Sequence, residues 1–208
     1  LTKGIFNVNS IGGIGLGAGT IAMYSRGDVP VDFYELDPDV VDLAKKYFGY
    51  LSLAPGAVNI YLGDARVSLK ARQGTMYDVL IVDAFGGDSI PTHLVNADVA
   101  NLYKEHLRDG GVILFHIPNR YFDLKPVLAQ IAKETNAYAA YKATGDEGLT
   151  MRTVWAIITW DQQKYIKLLT QENWQMIDAN QYATIRLWKD DYSTILPIIR
   201  WDQLKDTF

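Results

Sequence analysis

The sequence feature that most constrains the fold is a glycine-rich stretch, IGGIGLGAGTIA, over residues 11–22. Gly15, Gly17 and Gly19 follow an apolar run and begin a segment with helical character. A strand that turns at once into a helix brings free backbone N–H groups and a positive dipole end to one point, where glycine lets a ligand approach. The strand VDFYEL then carries Glu35, whose carboxylate can accept both hydroxyls of a ribose. The combination predicts a site for a cofactor that contains adenosine.

Composition limits the class of protein. The chain has 208 residues, of which 49% are hydrophobic and 21% charged, which predicts a single globular domain over 1–208. A net charge of −4 argues against a nucleic-acid partner, which would favour a basic surface. The chain has no cysteine, and its three histidines lack the spacing of metal ligands, so no metal is predicted.

The remaining pattern alternates strands with helices, which predicts a mainly parallel α/β sheet of the Rossmann type with helices on both faces. A helix is expected over 19–26, and a second one begins at Asp37-Pro38-Asp39, where a capping side chain and a first-turn proline coincide. Strands are expected near 57–64, 77–83, 137–143 and 152–159, with a helix over 121–135. Residues 106–119 are expected to hold a helix end, a turn and a further strand.

Three successive strands end in an acid, namely Glu35, Asp64 and Asp83. In an open α/β sheet, ligands bind beyond the carboxyl ends of the strands, so acids at these positions are better explained by a site than by chance. Any one of them alone is more typical of a helix cap. The three together indicate a polar site along one edge of the sheet.

Several motifs in order resemble a known family: IGLGAGTIA, FYELDPDVVDLA, LGDARVSL, DVLIVDAFGGDSIPTHL and LRDGGVILFHIPNRYFDL. They are similar to the spermidine synthase-like branch, the polyamine aminopropyltransferases, of the class I S-adenosylmethionine-dependent methyltransferase fold. The similarity is greatest to the soluble domain of bacterial proteins in which such a domain is fused to a membrane segment. The resemblance implies a seven-stranded sheet with a reversed strand near the C-terminus.

The resemblance also assigns residues to the cofactor, which would be decarboxylated S-adenosylmethionine or S-adenosylmethionine. The implied cofactor contacts are Gly15, Gly17, Gly19, Glu35, Asp64, Ala65 and Asp83. The glycines would line the ribose and tail, Glu35 would hold the ribose hydroxyls, and Asp64 with Ala65 would meet the adenine. Asp83 occupies the position of the acid that assists deprotonation of the attacking amine.

The loop after Asp83 departs from the family pattern. Aminopropyltransferases continue with D-x-x-D-P-x-G-P-A, whereas this chain reads Asp83-Ala-Phe-Gly-Gly-Asp88. The second acid is therefore Asp88, predicted to be both catalytic and substrate-binding. His93 and His116 are the other predicted substrate contacts. The N-terminal β-domain of typical aminopropyltransferases is not expected in these residues.

The function that the resemblance implies first is transfer of an aminopropyl group from decarboxylated S-adenosylmethionine to a polyamine amine. A methyltransferase on the same scaffold, with an unknown acceptor, is the first alternative. A non-catalytic domain of a membrane protein that binds an adenosyl ligand or serves for docking is the second. A dehydrogenase is a further one, because Gly13-x-Gly15-x-x-Ala18 fits the dinucleotide fingerprint.

The expected partner is a small-molecule polyamine or another amine. A membrane segment of the same parent chain and a homodimer both stay open as further partners. The expected location is the cytoplasm, or the cytoplasmic face of the membrane for a domain excised from a membrane-fused parent.

Overall fold

The computed structural model describes residues 7–84, 90–117, 121–145 and 153–201. The chain divides into two compact units, the first formed by residues 1–84 and 102–114 and the second by residues 85–101 and 115–208. The prediction of a single domain over 1–208 concerns the two units together and stays a prediction.

The first unit is built on parallel strands. Its strands are β1 (Ile11–Ile14), β2 (Val31–Glu35), β3 (Val58–Leu62), β4 (Tyr77–Val82) and most of β5 (Leu107–His116). They are arranged in the order β3-β2-β1-β4-β5. Strand β1 pairs in parallel with both β2 and β4, and β2 pairs in parallel with β3. Because β1 lies between two partners and is buried along its whole length, the turn that follows it leaves from the centre of this part of the sheet.

Helices α1 (Pro38–Tyr47) and α2 (Ala65–Ala71) accompany these strands, as does the second half of α3 (Ala97–Glu105). The predicted start of α1 is confirmed: the Asp37 side chain accepts a hydrogen bond from the Asp39 N–H at 2.9 Å, and Pro38 occupies the first turn. In the described part of the chain, no helix has both the length and the apolar composition that crossing a bilayer requires.

The predicted helix over 19–26 is wrong in type and length, because Thr20–Tyr24 forms a short 3₁₀ helix instead. Gly19 precedes it in the left-handed conformation and offers no side chain to cap it. Ser25 is already extended, and a bridge between Arg26 and Val29 turns the chain toward β2. The local turn therefore ends the helix before an α-helical turn can propagate.

The second unit contains the reversed strands that were predicted. Strand β6 (Tyr138–Thr144) runs antiparallel to β7 (Thr153–Thr159), and β6 also pairs with the two-residue strand β8 (Gln175–Met176). The two units together hold eight strands among the described residues, one more than predicted, because β8 adds a short edge after helix α5 (Gln162–Gln171). Helix α4 (Lys125–Glu134) begins later than predicted, after the Asp123 carboxylate accepts the Lys125 N–H at 3.0 Å.

Gly12, inside β1, is required by packing. A Cβ atom at this position would lie 2.7 Å from Cδ1 of Leu80 and 3.0 Å from two ring carbons of Tyr77. The absence of a side chain lets the Tyr77 ring cross β1 and reach β2, where its hydroxyl lies 2.6 Å from that of Tyr34. Part of the glycine-rich sequence therefore serves the core.

We expect Gly12→Ala to lower the free energy of unfolding by about 1–3 kcal/mol, because the added methyl group overpacks a buried site. Chemical denaturation followed by circular dichroism measures the change. Gly27→Ala is the matched control, since a Cβ atom at Gly27 would have no atom within 4 Å, and this variant should unfold at nearly the parental midpoint. Equal midpoints for the two variants would contradict this account of Gly12.

Candidate cofactor site

The turn after β1 has the backbone geometry of a site that a ligand approaches closely. Gly15, Gly17 and Gly19 have φ angles of 89°, 52° and 83°, in the left-handed region where a side chain is strained. A Cβ at Gly15 would lie 2.3 Å from the carbonyl oxygen of Asp83, so the chain that follows β4 touches the turn directly. Gly17 is exposed, and a Cβ atom added there would have no atom within 4 Å. The open side of the turn therefore lies at Gly17.

Glu35, at the end of β2, is buried and binds the turn. Its Oε2 accepts the Leu16 N–H at 2.8 Å, and its Oε1 accepts the Asp37 N–H at 2.9 Å. Two backbone donors thus fix the plane of the carboxylate. A carboxylate has about four acceptor positions, so each oxygen keeps capacity for one hydroxyl. The arrangement suits the bidentate hydrogen bonding of a ribose that the sequence predicted.

Asp64 follows β3 and caps α2. Its carboxylate accepts the Val67 N–H at 3.0 Å, and Ala65 next to it is buried. Gly63 has a φ of 127° and donates its N–H to the Glu35 carbonyl at 2.9 Å, which ties the ends of β2 and β3 together. Asp64 therefore caps a helix, which is a common role for an acid that follows a strand. The cap also fixes Asp64 at the end of β3, where the resemblance implied a contact with the adenine.

Tyr103, on α3, provides a buried neutral group near Asp64. Burial raises the pKa of Tyr103 well above its ordinary value; Arg66 lowers this pKa in part, and Asp64 raises it further. The phenol consequently keeps its proton, and Asp64 faces no additional negative charge from it.

Asp83 follows β4 and is half-buried. Its N–H donates to the Ile14 carbonyl at 2.8 Å, which extends the pairing of β1 with β4 up to the turn. Since the strands are arranged β3-β2-β1-β4, Asp64, Glu35, the glycine turn and Asp83 follow one another along one edge of the first unit. The structure thus brings together all the residues that the sequence assigned to the cofactor.

The predicted substrate residues are Asp88, His93 and His116. Asp88 falls outside the described residues. His93 lies in a short 3₁₀ helix, Thr92–Leu94, of the second unit and is exposed. His116 ends β5 within the second unit, where its Nε2 lies 2.7 Å from Oγ1 of Thr153 and its ring stacks on Trp155 with 4.4 Å between centroids. A role in substrate binding stays a prediction for all three.

The sequence patterns did not predict two features of the site. Leu36 and Leu62, at the ends of β2 and β3, are 69% and 58% exposed, so they present apolar surface beside Glu35. The other feature is the tight junction between β3 and α2. Gly63 was the available signal for it, since a glycine between a strand and a capping acid marks a special φ.

The site fits an adenosyl group on three observations: the open left-handed position at Gly17, the fixed carboxylate of Glu35 and the exposed leucines at adjacent strand ends. Among the described residues, no cluster of three or more His, Asp or Glu side chains could hold a metal ion.

Comparison with known proteins identifies the family of this chain. The family described as the Spermine/spermidine synthase domain matches residues 7–145, more than half of the sequence. The chain belongs to this family. The match includes all the predicted cofactor residues as well as Asp88, His93 and His116.

Two curated relatives give more detail. A curated polyamine aminopropyltransferase of Vibrio vulnificus is 34% identical over 106 residues, which cover 49% of this chain and 35% of that protein. Putrescine N-methyltransferase 3 of Nicotiana tabacum is 33% identical over 85 residues, which cover 40% of this chain and 22% of that protein. The matched part thus corresponds to about a third or less of these relatives' length.

Solved structures confirm the fold. The crystal structure of a probable spermidine synthase from Corynebacterium glutamicum superposes with a TM-score of 0.62 at 18% identity, covering 89% of this chain and 74% of that one. The predicted Rossmann-like methyltransferase fold, with a mainly parallel sheet and reversed strands near the C-terminus, is therefore correct.

The geometry of the turn predicts that alanine destabilises the protein more at Gly15 than at Gly17. Gly15→Ala should lower the free energy of unfolding by about 2–5 kcal/mol, because strain in the left-handed region adds to a clash with the backbone of Asp83. Gly17→Ala should cost only about 1–2 kcal/mol, from strain alone. Thermal unfolding of both variants measures the difference, and a Gly17 variant less stable than the Gly15 variant would contradict the geometry.

Proposed function

We propose that this domain transfers an aminopropyl group from decarboxylated S-adenosylmethionine to the amine of a polyamine. The observation that carries the proposal is the row formed by Asp64, Glu35, the glycine turn and Asp83 along one sheet edge. Membership of the Spermine/spermidine synthase family supports this choice of chemistry. It also argues against the dehydrogenase interpretation.

In this proposal the adenosyl part is held by the first unit. Glu35 accepts the two ribose hydroxyls on the lone pairs that Leu16 and Asp37 leave free. The adenine packs on the apolar surface of Leu36 and Leu62, near Asp64 and Ala65. The tail passes the turn at Gly17, where no side chain blocks it.

The donor supplies an electrophilic carbon bonded to a sulfonium, so the reaction is an in-line displacement with a neutral thioether as leaving group. Alignment of the amine with that carbon supplies much of the rate. An alkylammonium, with a pKa of about 10, must lose a proton before it can attack, and a carboxylate near the amine promotes this step. Asp83 takes this role because it is half-buried beside the turn, where its carboxylate attracts the cationic amine. Asp88, His93 and His116 are proposed to contact the substrate.

A methyltransferase is the second candidate, and the similarity to a putrescine N-methyltransferase favours it specifically. That relative acts, by its name, on a polyamine nitrogen, so the acceptor side would be shared while the transferred group differs. Products separate the two activities. Aminopropyl transfer releases methylthioadenosine, whereas methyl transfer releases S-adenosylhomocysteine.

The first test is ligand binding. Calorimetric titration with methylthioadenosine should show binding that Glu35→Gln weakens by about 10–100-fold, because an amide loses acceptor capacity and the charge assistance to the ribose hydroxyls. Glu105→Gln, an exposed site on α3, is the matched control and should bind like the parent. Preference for S-adenosylhomocysteine would favour methyl transfer, and binding of NAD alone would reject both transferases.

The second test is turnover. With decarboxylated S-adenosylmethionine and putrescine, we expect Asp83→Asn to lower kcat by about 10²–10⁴-fold, since the amine loses its base. Asp109→Asn, at an exposed position of β5, should leave kcat unchanged. Mass spectrometry of the products measures both. Equal rates for parent and Asp83→Asn would remove Asp83 from the mechanism, and ligand binding without any turnover would favour the non-catalytic docking domain.

The proposal also states where the reaction takes place and how the protein assembles. We place the reaction in the cytoplasm, at the membrane face if the domain is joined to a membrane segment, and we retain the homodimer as a prediction. Sedimentation of the purified chain measures the assembly state directly.

A further inference from the structure

A second cluster of polar side chains lies inside the first unit, away from the strand-end acids. At its centre is Asp32 of β2, which is only 7% exposed. Its Oδ1 accepts the Asn59 Nδ2–H of β3 at 2.8 Å, and its Oδ2 accepts the Tyr77 hydroxyl of β4 at 2.8 Å. Because donors from β3 and β4 both bond to this buried carboxylate of β2, Asp32 joins three strands.

The proton positions in the cluster follow from its hydrogen bonds. Tyr77 has one hydroxyl proton, and it is donated to Asp32, so the 2.6 Å contact between the two phenols must use the proton of Tyr34. Burial raises the pKa of both phenols above the ordinary value, which keeps both protons in place. The chain of bonds therefore has a single direction, from Tyr34 through Tyr77 to Asp32.

Arg72 joins helix α2 to this cluster. It follows the last residue of α2, and its Nη2 lies 3.2 Å from Oδ2 of Asp32. Its guanidinium carbon lies 3.8 Å from the centre of the Tyr61 ring, which in turn stacks on Tyr34 at 5.5 Å. Four elements, β2, β3, β4 and α2, thus meet at one carboxylate.

The same four elements carry the candidate cofactor residues. Asp32 and Glu35 share the short strand β2, and Asn59 lies on the strand that precedes Asp64. Tyr77 begins the strand that precedes Asp83, and α2 is the helix that Asp64 caps. These strands are short, so an interaction that fixes their relative register also constrains the positions of the acids that follow them.

We infer that Asp32, Tyr77 and Arg72 are positioning residues for the strand-end acids: they set where Glu35 and Asp64 lie relative to the glycine turn. The assignment of those acids to an adenosyl ligand rests on the proposed function, whereas the positioning itself is a property of the polypeptide alone.

Two backbone amides report the position of the acids without any ligand. The Leu16 N–H is bonded to Glu35, and the Val67 N–H is bonded to Asp64. In ¹H–¹⁵N spectra of the full chain, Tyr77→Phe should shift both amides and speed their hydrogen exchange by about tenfold more than that of core amides in β1 and β4. Asn59→Ala, at an exposed residue, removes one donor to Asp32 with less risk to folding and should act in the same direction.

The control is Ile113→Val, a core truncation on β5 that leaves the cluster intact. A purely structural role would speed the exchange of all core amides alike in Tyr77→Phe and Ile113→Val. If the Leu16 and Val67 amides of Tyr77→Phe exchange no faster than the other core amides, the inference is overturned. Calorimetry with methylthioadenosine on the same samples separates the two proposals. Shifted amides in Tyr77→Phe, together with a parent that does not bind the ligand, would reject the proposed function and keep the positioning role.

Discussion

The close approach of two chain segments at the end of the central strands is the constraint on which the candidate site depends. The carbonyl of Asp83 lies where a side chain of Gly15 would be, so the turn after β1 and the chain after β4 are in direct contact. Glycine is required there both by space and by a φ of 89°. The contact closes the turn at Gly15, whereas a Cβ atom at Gly17 would meet no atom within 4 Å.

Glu35 combines a structural and a proposed functional role in one carboxylate. Its hydrogen bond to the Leu16 N–H stabilises the glycine turn, and its bond to the Asp37 N–H fixes the start of α1. A ribose would therefore meet an acceptor whose orientation is already fixed, so little ordering remains to be done on binding. The dependence is mutual, because loss of the carboxylate would disturb the turn that the ligand also contacts. Preorganisation of this kind follows from satisfying buried backbone donors with a charged acceptor.

The candidate cofactor residues all lie in the first unit, whereas His93 and His116 lie in the second. The family match over residues 7–145 includes both histidines. In the second unit, the His116 ring at the end of β5 stacks on the ring of Trp155.

The sequence by itself determined the α/β class, because glycine spacing and alternating elements are local signals, and its resemblance to a known family implied the reversed strands and the candidate cofactor residues. It predicted the wrong helix after Gly19, since the bridge between Arg26 and Val29 that ends this segment cannot be read from helical periodicity. Only the tertiary structure decided which contacts the individual residues make. Gly12 proved to make room for Tyr77, and Asp32 proved to join four elements, although both look ordinary in a strand. Contacts between residues far apart in the chain create these roles, and no pattern of neighbouring residues encodes them.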